Sequence, residues 1–412
     1  MNKDNMNTAN IFPLFAGAAL VWAATAYHYV NTAEAITWII FVLFFAWTTY
    51  KKDISWNFKV PRRLLIVLAV FYGGLLLAMI FHLDNLDNLS GGYYSVSVFL
   101  RYTAVFWMLL YVGWTRDIRK AIYWTLTAVT YAICLTSLYQ IFVLNIPPHS
   151  LYRTQHVTTM MIDMLLPMMA GLGYYYRKKP VWKWLSWCTI PLQLVIIFFA
   201  KVRGADLALI GAMIVCGAVW FCVFRERLSM KKFFIAAAGL ILVAGLAVGH
   251  SVNFSNMGDM HVRGGGDRIY MWSAGYEIWK DHPLTGVGLN EWMTTYESPE
   301  YYPAGAHEKG FDHPHNVFVY FFATSGLLGG GAYVFYCLGM AGYFIRCLKK
   351  NRKDALAWGM LFAFTAMTIH GMVDCNFIFK LVGRTFYMLL GAALLFAYWR
   401  GKDSIDKERG TA

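Results

Sequence analysis

Side chains able to do chemistry gather in one stretch of this sequence, residues 258–320. Arg263 and Arg268 open it, and Asp312-His313-Pro314-His315-Asn316 closes it. Guanidinium groups grip phosphate bidentately and cannot lose their charge. Histidine, with an unperturbed pKa of about 6.5, suits proton transfer near neutrality. A proton acceptor and phosphate-binding cations therefore share one segment. With helical geometry starting near Pro314, His315 sits on the rigid element and His313 on the flexible approach, with Asp312 placed to orient one ring. Loops longer than about 12–15 residues are usually functional or disordered, and the density of Tyr, Trp and His argues against disorder.

A second group of cations lies upstream. Lys201-Val-Arg203-Gly204-Ala-Asp206 puts two cations and one carboxylate at a tight turn, where Gly204 lets the backbone turn or a ligand come close. Together with Arg263 and Arg268 this predicts a patch of guanidinium groups at one depth, suited to a mono- or diphosphate of a lipid. Arg101 and Arg384 fall several residues inside apolar spans. An arginine at mid-bilayer costs about 2.5–3.5 kcal/mol on insertion scales, less near an end, so such residues usually face a polar cavity. For Arg384, Lys380 and Lys280 the competing reading is a cation snorkelling to headgroups. His307, Asp312, His313 and His315 are the candidate metal ligands, but their spacing matches no strong zinc pattern and the loop has no Asp-x-Asp. The expectation is no metal and no cofactor. Asp163, His156 and His370 are further ionisable groups in or near spans. Asp163 either lines a polar cavity or pairs with a basic residue, and the sequence does not choose.

The elements that must position these groups are membrane helices. Hydrophobic residues make up 58% of 412 and charged residues 14%, against roughly 25% charged in soluble domains. Crossing a bilayer takes about 20 apolar residues. The expected spans are 11–29, 34–50, 63–82, 96–114, 120–144, 157–176, 184–201, 204–223, 232–250, 316–345, 355–374 and 382–399. The net charge of +13 would suggest nucleic acid in a soluble chain. Here it collects in every second inter-span loop, the positive-inside pattern, which makes those loops cytoplasmic and excludes that partner. Twelve spans put both termini in the cytoplasm. Ala24-Thr25-Ala26 resembles a signal-peptide cleavage site, but the apolar run is long and reads as a span. The fold class is thus an all-α polytopic membrane protein of about 12 helices, one domain over 1–412, with membrane lipids as neighbours. One large external loop, 251–315, lies between spans nine and ten, and the tail 402–412 is expected to fray. Within the loop, Ile269, Trp272, Tyr276 and Trp279 recur at helical spacing, an aromatic stripe suited to the membrane interface or to packing on the bundle top. Asp267 is the expected N-cap. Seven scattered cysteines fit packing, not a disulfide framework.

Arg203-Gly204, then Arg268-x-x-x-Trp272, then His282-Pro283-Leu-x-Gly286-x-Gly288, then His313-Pro-His315-Asn316 and Gly326-Leu-Leu-Gly329 together resemble the O-antigen ligase family. That family shares a superfamily with O-antigen polymerases and protein O-oligosaccharyltransferases. The resemblance implies a GT-C-type, metal-independent glycosyltransferase of the Gram-negative inner membrane, working at the periplasmic face. It would move a polysaccharide from undecaprenyl pyrophosphate to a sugar hydroxyl of lipid A–core. The family's essential arginines and histidine map to Arg203, Arg268 and His315, with Arg263, Lys201, Arg101, His313, Asp312 and Trp272 as supporting substrate-binding candidates. Direct attack at the anomeric carbon inverts its configuration, and no carboxylate pair for a double displacement is evident. A polymerase or protein glycosylase would use the same donor with another acceptor. A secondary transporter is the rival from another class, disfavoured by the single off-centre external loop.

Overall fold

The computed structural model describes residues 3–25, 30–51, 60–83, 96–152, 154–224, 266–307 and 309–408. Among them every regular element is helical: α1 (Lys3–Thr25), α2 (Val30–Tyr50), α3 (Arg62–Ile80), α4 (Val96–Thr115), α5 (Arg119–Phe142), α6 (Gln155–Tyr175), α7 (Pro180–Trp187), α8 (Thr189–Ala200), α9 (Arg203–Phe224), α10 (Gly266–Asp281), α11 (Trp292–Tyr296), α12 (Val317–Lys350), α13 (Ala355–His370), a 3-10 turn (Asn376–Ile378) and α14 (Lys380–Glu408). Seven of the described helical segments are long and apolar enough to cross a membrane, and three shorter apolar ones accompany them. Each expected span except the ninth falls on helix. The ninth, 232–250, lies outside the described residues, as do Arg263 and most of the loop before α10.

Departures from the expected spans have local causes. The seventh divides at Cys188 into α7 and α8, because Pro191 has no N–H to give the Trp187 carbonyl. The eleventh ends at His370, four residues early, which leaves Asp374 in a turn. Helix α14 continues to Glu408, and Asp403 pairs with Arg119 at 2.8 Å. The first span is built into the bundle: α1 packs on α2, α4 and α5, and Thr385 donates to its Ala24 carbonyl.

In the bundle α13 lies against α6 and α9, α12 against α3, and α14 against α4. At their shared centre Phe71, Phe99, Phe321, Tyr333, Tyr336 and Phe377 form one aromatic cluster, with centroid distances from 4.7 Å (Phe321–Tyr333) to 6.3 Å (Phe99–Phe377). Each such pair contributes about 0.5–1.5 kcal/mol beyond area burial. Phe377 belongs to the 3-10 turn, and Tyr102 donates to the next carbonyl, Ile378, at 2.6 Å. The turn between α13 and α14 is therefore pinned to the core from below.

Helix α12 is broken at Gly326, where φ is +58°. The loop after α10 repairs the break. Val287 and Gly288 donate their N–H groups to the carbonyls of Ala323 and Thr324, while Leu327 and Leu328 donate to Pro283 and Leu284. Broken backbone at membrane depth survives only when its polar groups are satisfied in this way. A Cβ on Gly326 would lie 2.3 Å from the Leu284 carbonyl carbon, and one on Gly286 would lie 2.3 Å from that of Thr324. The two glycine motifs of the sequence are thus the two halves of one backbone contact.

Candidate active site

The His-Pro-His turn is held between three elements. Asn316 caps α12, accepting from Phe318 N–H at 2.9 Å and Val319 N–H at 3.3 Å. Val317 N–H donates to the Gly371 carbonyl (2.8 Å), tying the turn to the end of α13. Trp272 Nε1 donates to the Pro314 carbonyl at 2.9 Å, tying it to α10. These anchors hold His315 at φ +51°, a left-handed conformation that costs a non-glycine residue on the order of 1–3 kcal/mol.

Helix α10 packs on α12, with Met271, Ala274 and Ile278 buried and Gly275 set against Val319. The aromatic stripe divides: Ile269 and Tyr276 are exposed, whereas Trp272 is half-buried beside the His turn and Trp279 packs on Phe322 of α12 with ring centroids 5.3 Å apart. Arg268 stands one turn before Trp272 on the same helix. Asp267 is already within that helix and accepts from His307 N–H at 3.4 Å; an N-cap role would fall on residue 265, outside the described residues.

His315 Nδ1 lies 3.3 Å from Asp374 Oδ1. Asp374 is buried, and the same oxygen accepts the Cys375 N–H at 2.8 Å. A carboxylate facing Nδ1 makes that nitrogen the donor and leaves Nε2 as the proton acceptor. Burial works to raise the Asp374 pKa, but the hydrogen bond from His315 and the charges of His313, His315 and His370 hold it below the usual carboxylate range. The His313 ring stands 4.5 Å from that of His315, nearly perpendicular to it. Its Nδ1 accepts the His315 backbone N–H (3.3 Å), and its Nε2 faces Asp312 at 3.7 Å. Burial first, then the charge of His315, pushes the His313 pKa down to about 4, so this ring is neutral. The field of Arg268 reaches His313 and acts in the same direction.

Behind the turn, His156 Nδ1 approaches the other Asp374 oxygen at 3.9 Å. Asp374 N–H donates to the His370 carbonyl, and the buried His370 side chain pairs with Asp163 at 2.6 Å. Asp163 has therefore found a basic partner, one of the two readings left open. A Cβ on Gly204 would meet His370 Nε2 at 2.8 Å. That close approach brings the first turn of α9, and with it the exposed Arg203, onto the turn that carries Asp374.

His313, His315, Asp312 and Trp272 are brought together here, with Arg268 in electrostatic reach. Arg101 stands on α4, where it donates to Ser97 at 3.2 Å. Lys201 is exposed at the α8–α9 turn with φ +53°. Lys280 is exposed and paired with Glu277 at 2.8 Å, whereas Lys380 and Arg384 are buried in the bundle and do not snorkel. The residue that sequence reasoning missed is Asp374. Its one sequence signal is a lone acid between two apolar spans, which by itself names no partner.

His313, His315 and Asp374 offer ligand atoms within 4.8 Å of one another, a donor set that a divalent ion accepts. As arranged, however, both Nδ1 atoms are committed to hydrogen bonds, and binding through them would dismantle the His315–Asp374 pair. As it stands, the arrangement leaves His315 Nε2 able to accept a proton.

Fold and site define a multi-pass helical membrane protein with a histidine–aspartate pair and an arginine at one end of its bundle. Residues 188–334, a little over a third of the chain, match the family model described as O-antigen ligase. The match supports the O-antigen ligase family, and with it the ligase- or polymerase-type membrane enzymes that act on lipid-linked glycans. It spans Arg203, Arg268, Trp272, His313 and His315 and stops short of Asp374. No curated protein matches the chain.

Proposed function

We propose that this protein is an O-antigen ligase that transfers a polysaccharide from undecaprenyl pyrophosphate to a sugar hydroxyl of lipid A–core, at the periplasmic face of the inner membrane. The observation that carries the reading is the His315–Asp374 pair, set beside the arginine-bearing helix α10 inside the matched region. His315 Nε2 takes the acceptor hydroxyl's proton as the oxygen attacks the anomeric carbon. Asp374 holds the ring's tautomer and stabilises the imidazolium that forms. The glycosyl–phosphate bond breaks on the opposite face, inverting the centre, and Arg268 and Arg203, with Arg263, take up the charge that develops on the departing pyrophosphate. A positioned base contributes typically 10²–10⁴-fold, and preorganised cations in a site shielded from water contribute as much or more.

The test is complementation of a ligase-deficient strain. The wild-type chain restores polymer on lipid A–core, and His315→Ala, inserted at equal level, does not. Polymer made at a normal rate by His315→Ala removes it as the base. Restored chain lengthening without transfer to lipid A–core would assign the chain to the polymerases instead.

A further inference from the structure

A cavity of about 550 Å³ opens among the ends of α5, α6, α13 and α14. It lies at the far end of the bundle from His315. Helix α6 carries His156 at one end and lines the cavity with Tyr174 and Tyr175 at the other. Helix α13 runs likewise from Ala355 at the cavity to His370, and α14 from Lys380 to Arg400. At 1.5 Å per residue the two ends stand roughly 20–30 Å apart.

The walls are fixed and basic. Arg119 is clamped between Asp117 (2.7 Å) and Asp403 (2.8 Å) and donates to Tyr175 Oη at 3.0 Å. Arg400 pairs with Asp354. Arg177 and Lys179 are seated over the rings of Tyr174 (4.6 Å) and Trp182 (4.9 Å). Lys120, Lys178 and Lys353 complete the lining, and no carboxylate among the described residues pairs with them. The lining thus holds seven cations against two carboxylates, Asp117 and Asp403. Basic loops on one membrane face are an ordinary topological signal, but that signal does not require three loops and the last turns of α14, distant in sequence, to converge on one hollow. Concentrated like charge is unfavourable unless an anion neutralises it. The volume falls in the usual range for small-ligand sites, roughly 300–1,000 Å³, and basic pockets between membrane helices take anionic lipid headgroups.

We propose that this cavity is a binding site for a phosphate-bearing anion, occupied by the phosphodiester headgroup of an acidic membrane lipid. Aromatic side chains at its rim suit the headgroup level of a bilayer, and the open lysines reach the phosphate oxygens. A free polyphosphate shares that chemistry and is the other possible source.

Native mass spectrometry of the full chain in neutral detergent tests this, with cardiolipin, phosphatidylcholine and inorganic pyrophosphate as probes. Cardiolipin binds and phosphatidylcholine does not. At about fivefold per lysine, Lys120→Gln/Lys178→Gln/Lys353→Gln weakens cardiolipin on the order of a hundredfold. Lys280→Gln, at the other end, changes nothing, and Lys178→Arg retains binding. Pyrophosphate that fails to displace cardiolipin assigns the site to lipid, whereas stoichiometric displacement assigns it to free phosphate. Equal retention of phosphatidylcholine, or a triple variant that binds like wild type, overturns the proposal.

Discussion

Asp374 Oδ1 stands between His315 Nδ1 at 3.3 Å and the Cys375 N–H at 2.8 Å. The backbone donor fixes the oxygen, so the carboxylate can fix the imidazole. Asp374→Asn keeps a similar shape but removes the charge that stabilises a protonated ring. Purified Asp374→Asn should insert and melt like wild type, yet lose about 10²–10⁴-fold in kcat for glycan transfer, with little change in KM. A kcat within threefold of wild type would leave Asp374 with a packing role only.

Acidification should expose the buried state of His313. Its pKa is pushed down to about 4 by burial and by the charge of His315, whereas an unfolded histidine titrates near 6.5. Between those values the unfolded chain binds the extra proton and the folded one does not, so stability falls as pH falls through this window. The loss amounts to on the order of 3 kcal/mol by pH 4. His313→Asn keeps an acceptor for the His315 N–H and removes the titration. Melting in detergent from pH 7 to 4.5 should fall more steeply for wild type than for the variant; parallel curves would mean that the ring is charged in the fold.

The sequence made the helices legible because composition and charge asymmetry are read one residue at a time. His315 and Arg268 were legible because they fall in a polar interruption of an apolar chain. Asp374 was not, since its partner lies 59 positions away, and nothing within the Val373-Asp374-Cys375 segment points to a histidine. The burial of Arg384 was equally hidden: snorkelling and bundle burial give the same one-dimensional pattern, and only the packing of α14 on α4 separates them. The glycine motifs were visible as spacing, but their meaning required two loops to meet.

Transfer should survive removal of divalent ions. Both Nδ1 atoms of the His313–His315 pair are occupied by hydrogen bonds, so a metal taken through either of them would displace a contact that holds the pair. Activity of the purified protein after exhaustive EDTA treatment should stay within about twofold of the untreated sample, small beside the loss expected on removing a base. A loss restored by one added divalent ion would instead make His313, His315 and Asp374 ligands.

The last test concerns the break in α12. Gly326 takes φ +58°, and its missing side chain leaves room for the Leu284 backbone. Alanine there meets two penalties at once: a backbone conformation (φ +58°, ψ −153°) that is essentially reserved for glycine, on the order of 1–3 kcal/mol, and a Cβ set 2.3 Å from a carbonyl carbon that cannot swing aside as a side chain would. The four backbone hydrogen bonds that close the break all cross this contact, so pushing the strands apart leaves donors and acceptors unsatisfied at about 1–3 kcal/mol each. Gly331→Ala, five residues on, adds a methyl group in ordinary contact with Leu327 at 3.5 Å and serves as the matched control. Gly326→Ala should lower the melting temperature in detergent by several degrees and reduce transfer, while Gly331→Ala does neither. Should both variants melt together with wild type, the loop after α10 would not be locked to the helix break, and the seat of the His-Pro-His turn would rest on Trp272, Asn316 and the Val317–Gly371 hydrogen bond alone.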